Sequence, residues 1–315
     1  MQRQQRLYSL ALSFVLLAVF ALTQNLRVKA SDDEHATFTT IDPPGAIYTE
    51  ATYMSPSGEI VGRYYDGSVC TLPCVADDGH NHGFLLSGGE FTTIDFPGAV
   101  FAGAVGINPQ GDIVGRYDAA GGRQHGYLLS GGEFTTIDFP GALLTTAFGI
   151  NPRGDIVGQY RSADAKLHGY LLSGGEFTTI DFPAATGTAA WKVNPAGDIA
   201  GRYTSTDGKS HVFFLSNGEF TSIDFPGAFD TAPAAIPFVG INAPGDIVSS
   251  YCDGAPCTPA SNGKVHGFLL TEGEFTSIDF PGAFLTAASG INNRGDIVGV
   301  YVDTNRQGHG FLRTR

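Results

Sequence analysis

The sequence predicts an all-β protein, a six-bladed β-propeller of four-stranded antiparallel blades, and three observations predict it. Glycine (43) and proline (17) interrupt the chain every few residues, so beyond residue 30 no 12-residue window is both free of breakers and apolar with helical period. The phrase Phe-Thr-Thr/Ser-Ile-Asp begins at Phe38, Phe91, Phe134, Phe177, Phe220 and Phe275, at spacings of 53, 43, 43, 43 and 55 residues. Between these phrases, turn-forming residues recur at fixed places, so each unit divides into four short strands.

The elements follow in order. A Gly-Ile strand ends at Asn-Pro-x-Gly, as in Asn151 to Gly154, which places proline second and glycine fourth in a type I turn. The turn leads into Asp-Ile-Val-Gly-x-Tyr, the second strand. A connection of variable length brings in His-Gly-Tyr-Leu-Leu, the third. Ser-Gly-Gly-Glu, as in Ser173 to Glu176, supplies the positive φ angles of a tight hairpin into Phe-Thr-Thr-Ile-Asp, the fourth. Each unit is therefore an antiparallel meander.

A lone meander leaves two apolar faces open, so units must stack, and a four-stranded unit of this length suits a propeller blade. A twisted β-solenoid or two-layer repeat is the competing architecture. The last unit ends one strand short, at His309 to Leu312, and the chain begins with one to spare, at Phe38 to Asp42. The N-terminal strand can thus complete the last blade and remove an open sheet edge.

The unit Gly-Ile-Asn-x-x-Gly-Asp-Ile-Val-Gly-x-Tyr followed by His-Gly-Phe/Tyr-Leu resembles the bacterial extracellular HAF repeat over residues 38–315. It departs from that pattern in having glycine for alanine at Gly83, Gly126, Gly169, Gly267 and Gly310, and Val212 in one copy. The resemblance implies an exported, propeller-like repeat protein and transfers no activity.

Arg3 and Arg6 precede an apolar run over residues 7–22, followed by the small-residue pattern Val28-Lys29-Ala30, so residues 1–30 read as a secretory signal cleaved after Ala30. The run is shorter than the roughly 20 residues that a spanning helix needs. An uncleaved N-terminal anchor is the alternative. Residues 31–315 form a single repeat domain with no further membrane insertion expected, secreted to the periplasm or medium. Removing the signal takes away four basic residues and no acid, leaving 14 basic against 31 acidic, a net charge of −17. Such a surface repels phosphate backbones and excludes a nucleic-acid partner.

Six histidines (His82, His125, His168, His211, His266, His309) and six tyrosines (Tyr64, Tyr117, Tyr160, Tyr203, Tyr251, Tyr301) recur in register. A residue present once per blade does one local job per blade, so hydrogen bonding between strands is expected rather than a metal centre. Glu59, Asp112, Asp155, Asp198, Asp246 and Asp296 stand alone in their turns without calcium-loop spacing. No metal and no cofactor are expected. Cysteines come as Cys70 with Cys74 and Cys252 with Cys257, both in lengthened loops between second and third strands, and are expected to form two local disulfides. No serine-hydrolase, metalloprotease or nucleotide-binding motif occurs.

The copies break the repeat in one informative place. In the fourth, Gly-Ile-Asn becomes Lys192-Val193-Asn194 after Trp191, the sole tryptophan, and the first has Tyr53 where the fourth has Lys192. These positions are expected at one mouth of the central channel, near the strand start, on the face carrying the variable loops. An aromatic ring beside a cation suits a sugar or an anionic ligand. Trp191, Lys192 and Tyr53 are therefore the candidate ligand-binding residues of a monomeric, non-catalytic binding or scaffold protein recognising extracellular carbohydrate or protein. A carbohydrate-active enzyme on the same face and a structural surface or matrix protein are the rival readings.

Overall fold

The computed structural model describes residues 27–29, 36–67, 80–234, 236–255, 257 and 264–315. Every regular element among them is a β-strand. The third unit shows the plan: Leu144–Ile150 pairs with Ile156–Arg161, that strand with Leu167–Ser173, and that with Glu176–Ile180, each antiparallel.

Local chemistry accounts for both turns. Gly154 N donates to Asn151 O at 3.0 Å, and Asn151 Oδ1 accepts from Arg153 N and Asp155 N at 2.9 and 3.1 Å. Asp155 in turn accepts from Asn151 Nδ2 at 2.8 Å and from Ser173 Oγ at 2.6 Å, so the turn acid is spent on the turn. Gly174 and Gly175 take φ of +58° and +85°, the pair of left-handed residues that a two-residue hairpin of the right twist requires.

Burial orders the four strands. The unit-six first strand, Leu285–Ile291, is buried throughout, whereas the fourth strand Glu176–Ile180 is buried only at Ile180. First strands are therefore innermost and fourth strands outermost. The innermost strands are Tyr48–Met54, Ala99–Ile107, Leu144–Ile150, Gly187–Val193 and Leu285–Ile291; in unit five the strand is broken into Asp230–Thr231 and Gly240–Ile241. Each unbroken one carries a bulge, with Thr52, Val105, Phe148, Trp191 or Ser289 as the extra residue. A bulge turns one additional side chain out of the ladder.

Neighbouring units touch through these strands. A Cβ on Gly149 would lie 2.7 Å from Trp191 O, so only glycine permits that approach. Thr52 Oγ1 donates to Ala104 O at 2.9 Å, and Ser289 Oγ to Ala51 O at 2.5 Å, linking unit one to unit two and unit six to unit one. The apolar layers lie between units: Val157 and Ile180 of unit three cluster with Ala190, Val193 and Tyr203 of unit four, and Val298 of unit six with Ala51 and Ile60 of unit one.

The recurring aromatics build a ladder at each junction from unit one–two to unit five–six. Phe182, from the connection after unit three, stacks on Tyr203 at 3.7 Å, and Tyr203 stacks on His211 at 4.8 Å. Tyr203 Oη and Ser222 Oγ are hydrogen-bonded at 2.9 Å, and His211 Nδ1 donates to Asp224 Oδ1 at 2.6 Å. The six in-register histidines each make this bond to the aspartate ending a fourth strand. In unit six the partners come from the start of the chain: Thr37–Ile41 pairs antiparallel with Gly308–Thr314, Thr40 bonds Tyr301 at 2.9 Å, and Asp42 bonds His309 at 2.7 Å.

Three details differ from the sequence expectation. A single parallel bridge, Gly308 to Tyr48, joins units six and one into one eight-stranded sheet. Arg27–Lys29, inside the expected signal, runs parallel along Glu274–Thr276 of unit five. First strands extend several residues upstream of Gly-Ile, so Trp191 and Lys192 lie near the end of Gly187–Val193, not its start. No helix among the described residues is long and apolar enough to cross a membrane.

Candidate functional site

Two cavities of about 300 Å3 each adjoin on the side where first strands begin and second strands end. They share Arg116, Phe148, Trp191, Ala234 and Pro237. The first adds Glu50, Arg63, Phe101 and Phe238; the second adds Gln159, Thr188 and Arg202. Sequence dictates this meeting point in two ways. The bulges of units three and four put Phe148 and Trp191 beside each other, with ring centroids 4.1 Å apart and planes 2° from parallel. The extra residues of unit five break its first strand, and that segment supplies Ala234, Pro237 and Phe238 as a wall.

Trp191 is 6% exposed, and its indole Nε1–H is buried without a hydrogen-bond acceptor among the described residues. Its neighbour Lys192 projects elsewhere. Lys192 is 2% exposed, with Nζ donating to Val105 O and Phe148 O at 2.6 Å each and lying 4.4 Å from the Tyr53 ring centroid. Burial, with no carboxylate at ion-pair distance, holds this amine well below its ordinary range. Burial likewise pushes the Tyr53 phenol up to about 12, and its hydroxyl donates to Ile241 O at 3.4 Å. Tyr53 also lines a smaller cavity of about 50 Å3 with Met54, Pro109, Asn151 and Pro195, on the side of the tight turns. Lys192 and Tyr53 thus meet each other between the two sides, and of the three candidate residues Trp191 alone reaches the larger cavities.

The arginines of the Gly-Arg-Tyr phrase are the residues that sequence reasoning passed over. Arg63, Arg116 and Arg202, with Gln159 in unit three, occupy one register position, opposite Glu50, Gly103, Ala189 and Thr146 of the first strands. Units five and six have Ser250 and Val300 there. The cations are neutralised to different degrees. Arg63 forms two bonds to Glu50, at 2.7 and 2.9 Å, and Tyr48 also donates to Glu50. Arg116 stands 3.4 Å from Asp118 and 4.1 Å from the centroid of Phe101. Arg202 reaches only Thr204 Oγ1 at 3.4 Å and Ser210 Oγ at 3.3 Å, and burial pulls its guanidinium below the ordinary value.

Cys252 and Cys257 are joined in a disulfide with Cα atoms 5.9 Å apart. The expected Cys70–Cys74 bridge lies outside the described residues. Groups of three or more potential metal ligands are absent among the described residues.

No family model matches the sequence, and no curated protein does. Solved structures do resemble it. AofleA from Arthrobotrys oligospora is similar at a TM-score of 0.53 and 14% identity, over 93% of this chain and 91% of that one. The Aleuria aurantia lectin in complex with Fucalpha1-6GlcNAc is similar at 0.50 and 12%, over 86% and 93%. The β-propeller domain of the Trilobed protease from Pyrococcus furiosus, described as having an open velcro topology, is similar at 0.50 and 11%, over 84% and 81%. At these identities the likeness is one of fold: an all-β propeller of four-stranded sheets.

Proposed function

We propose that the chain is an exported, non-catalytic carbohydrate-binding propeller of the HAF-repeat kind, whose ligand enters the paired cavities beside Trp191. In this reading six blades close into a ring through Thr37–Ile41, the signal over residues 1–30 is removed, and the mature protein acts as a monomer. The observation that carries it is the coincidence of departures from the repeat. Trp191 and Phe148, aromatic where the bulges of other units carry Thr52, Val105 or Ser289, and the lengthened segment of unit five all converge on one pair of cavities, while the opposite side receives tight turns. Binding concentrates where variable segments sit on a rigid scaffold. Lys192 and Tyr53 serve as the floor, holding the Trp191 and Phe148 strands together from within. That the Aleuria aurantia lectin, similar in fold, is described with a bound disaccharide favours a sugar as the occupant.

A glycoside hydrolase would need paired carboxylates facing the cavity. Glu50 is the one carboxylate among the described lining residues, and Arg63 and Tyr48 already hold it. The test is a glycan and peptide binding screen of the protein beginning at Ser31, beside a Trp191→Ala, Lys192→Ala variant checked for native circular dichroism. Glycan binding by the parent, reduced at least tenfold in the variant, is expected. Equal signals from both remove the site; turnover of a polysaccharide by the parent favours the enzyme; silence across the screen favours the matrix protein.

A further inference from the structure

Arg202 is a half-buried cation that the fold leaves without a carboxylate at ion-pair distance among the described residues. Of the three guanidinium groups lining the two cavities, Arg63 is paired bidentately with Glu50 and Arg116 has Asp118, but Arg202 has only two long hydroxyl contacts. Asp230 is the nearest acid acting on it; its Oδ1 accepts from Ser210 N at 2.7 Å, and it makes no ion pair with Arg202. Withdrawing a guanidinium from water is costly unless an anion meets it.

We propose that the second cavity takes the carboxylate of an acidic saccharide, a uronic or similarly carboxylated sugar, with Arg202 as the principal partner and Arg116 and Gln159 beside it. This rests on the carbohydrate reading of the same face. Two considerations converge on it. The planar fork of arginine matches the two oxygens of a carboxylate. None of the described residues lining this cavity is an acid that would compete, whereas the adjoining cavity contains Glu50 already paired. The protein's net charge of −13 over the full sequence gives no general attraction for acidic polymers, so recognition of one has to come from a local cationic pocket.

The experiment is calorimetric titration of the protein beginning at Ser31 with a uronate-containing oligosaccharide, its carboxyl-reduced neutral counterpart, and a sulfated analogue of the same length. The variants are Arg202→Gln, Arg202→Lys and, as a control on the turn side, Arg153→Gln. The acidic sugar is expected to bind at least about tenfold more tightly than its reduced form. Arg202→Gln should abolish that preference, Arg202→Lys should retain part of it, and Arg153→Gln should leave it intact. If Arg202→Gln fails to fold, the parent's discrimination and the Arg202→Lys variant decide. Equal affinity for acidic and reduced sugars, an undiminished preference in Arg202→Gln, or stronger binding of the sulfated analogue overturns the carboxylate assignment while leaving a sugar-binding face. Failure of the parent to bind any of the three overturns both readings.

Discussion

Lys192 replaces the glycine that most units carry at its position, and its side chain is buried between innermost strands with Nζ on Val105 O and Phe148 O. The sign of its titration is fixed by burial. Its folded pKa is depressed, so between that value and the unfolded value near 10.5 the unfolded chain holds a proton that the folded chain does not. Stability then rises with pH across that window, and below it the full penalty of burying the cation persists. Measured by denaturant unfolding, the parent should gain ground on Lys192→Met as pH rises from about 7 towards 10. A constant difference, or one moving the other way, contradicts a desolvated amine. At this scale the sequence displayed Trp191 and Lys192 as departures from a pattern. It concealed that one lines a cavity and the other does not, because adjacent residues at a bulge leave the strand in different directions. Arg202 stayed hidden for the opposite reason: it belongs to a repeated phrase, and repetition reads as scaffolding. The signal available was the change to Gln159, Ser250 and Val300 at the same register position.

At the scale of strands and turns, the two hairpin turns of each unit were legible, since Asn-Pro-x-Gly and Ser-Gly-Gly-Glu name their own turn types, whereas the upstream starts of the first strands were not. The broken first strand of unit five was legible only as extra length around Pro233 and Pro237. Where that length would go depends on tertiary contacts, such as Ser249 Oγ to Phe238 O at 2.6 Å and Ser250 Oγ to Ile236 O at 3.1 Å. The aromatic ladders yield a prediction of their own. Phe182 lies face to face with Tyr203 at 3.7 Å and edge-on to Phe220 at 5.3 Å, joining the connection after unit three to unit four. Phe182→Ala should cost about 3 kcal/mol in equilibrium unfolding, from lost apolar area, a residual cavity and lost stacking. A cost below about 1 kcal/mol would mean that the connection is not held by its ring. Unit one supports the assignment from the other side: Pro43 stands at the matching place, and no stacked phenylalanine covers Tyr64.

At the scale of the whole molecule, six similar units bury their apolar faces only against neighbours, so the two end units must find each other or remain exposed. Val298 packing with Ala51 and Ile60, the Ser289 to Ala51 bond and the Tyr301 to Thr40 contact all join the end of the chain to its beginning. The spare strand at Phe38 and the missing one after His309 made the pairing of Thr37–Ile41 with Gly308–Thr314 readable from the sequence, whereas the bridge from Gly308 to Tyr48 had no sequence signal because one backbone pair needs no particular side chain. The position of the paired cavities depends on it, since they draw on units one to five at once. Amide hydrogen exchange in the protein beginning at Ser31 is the most direct test. The ladder amides of Thr37–Ile41 should exchange within roughly an order of magnitude of those of Gly308–Thr314, far more slowly than an unstructured chain. Exchange of Thr37–Ile41 at unstructured rates, with Gly308–Thr314 still protected, would contradict a ring joined by its own first strand.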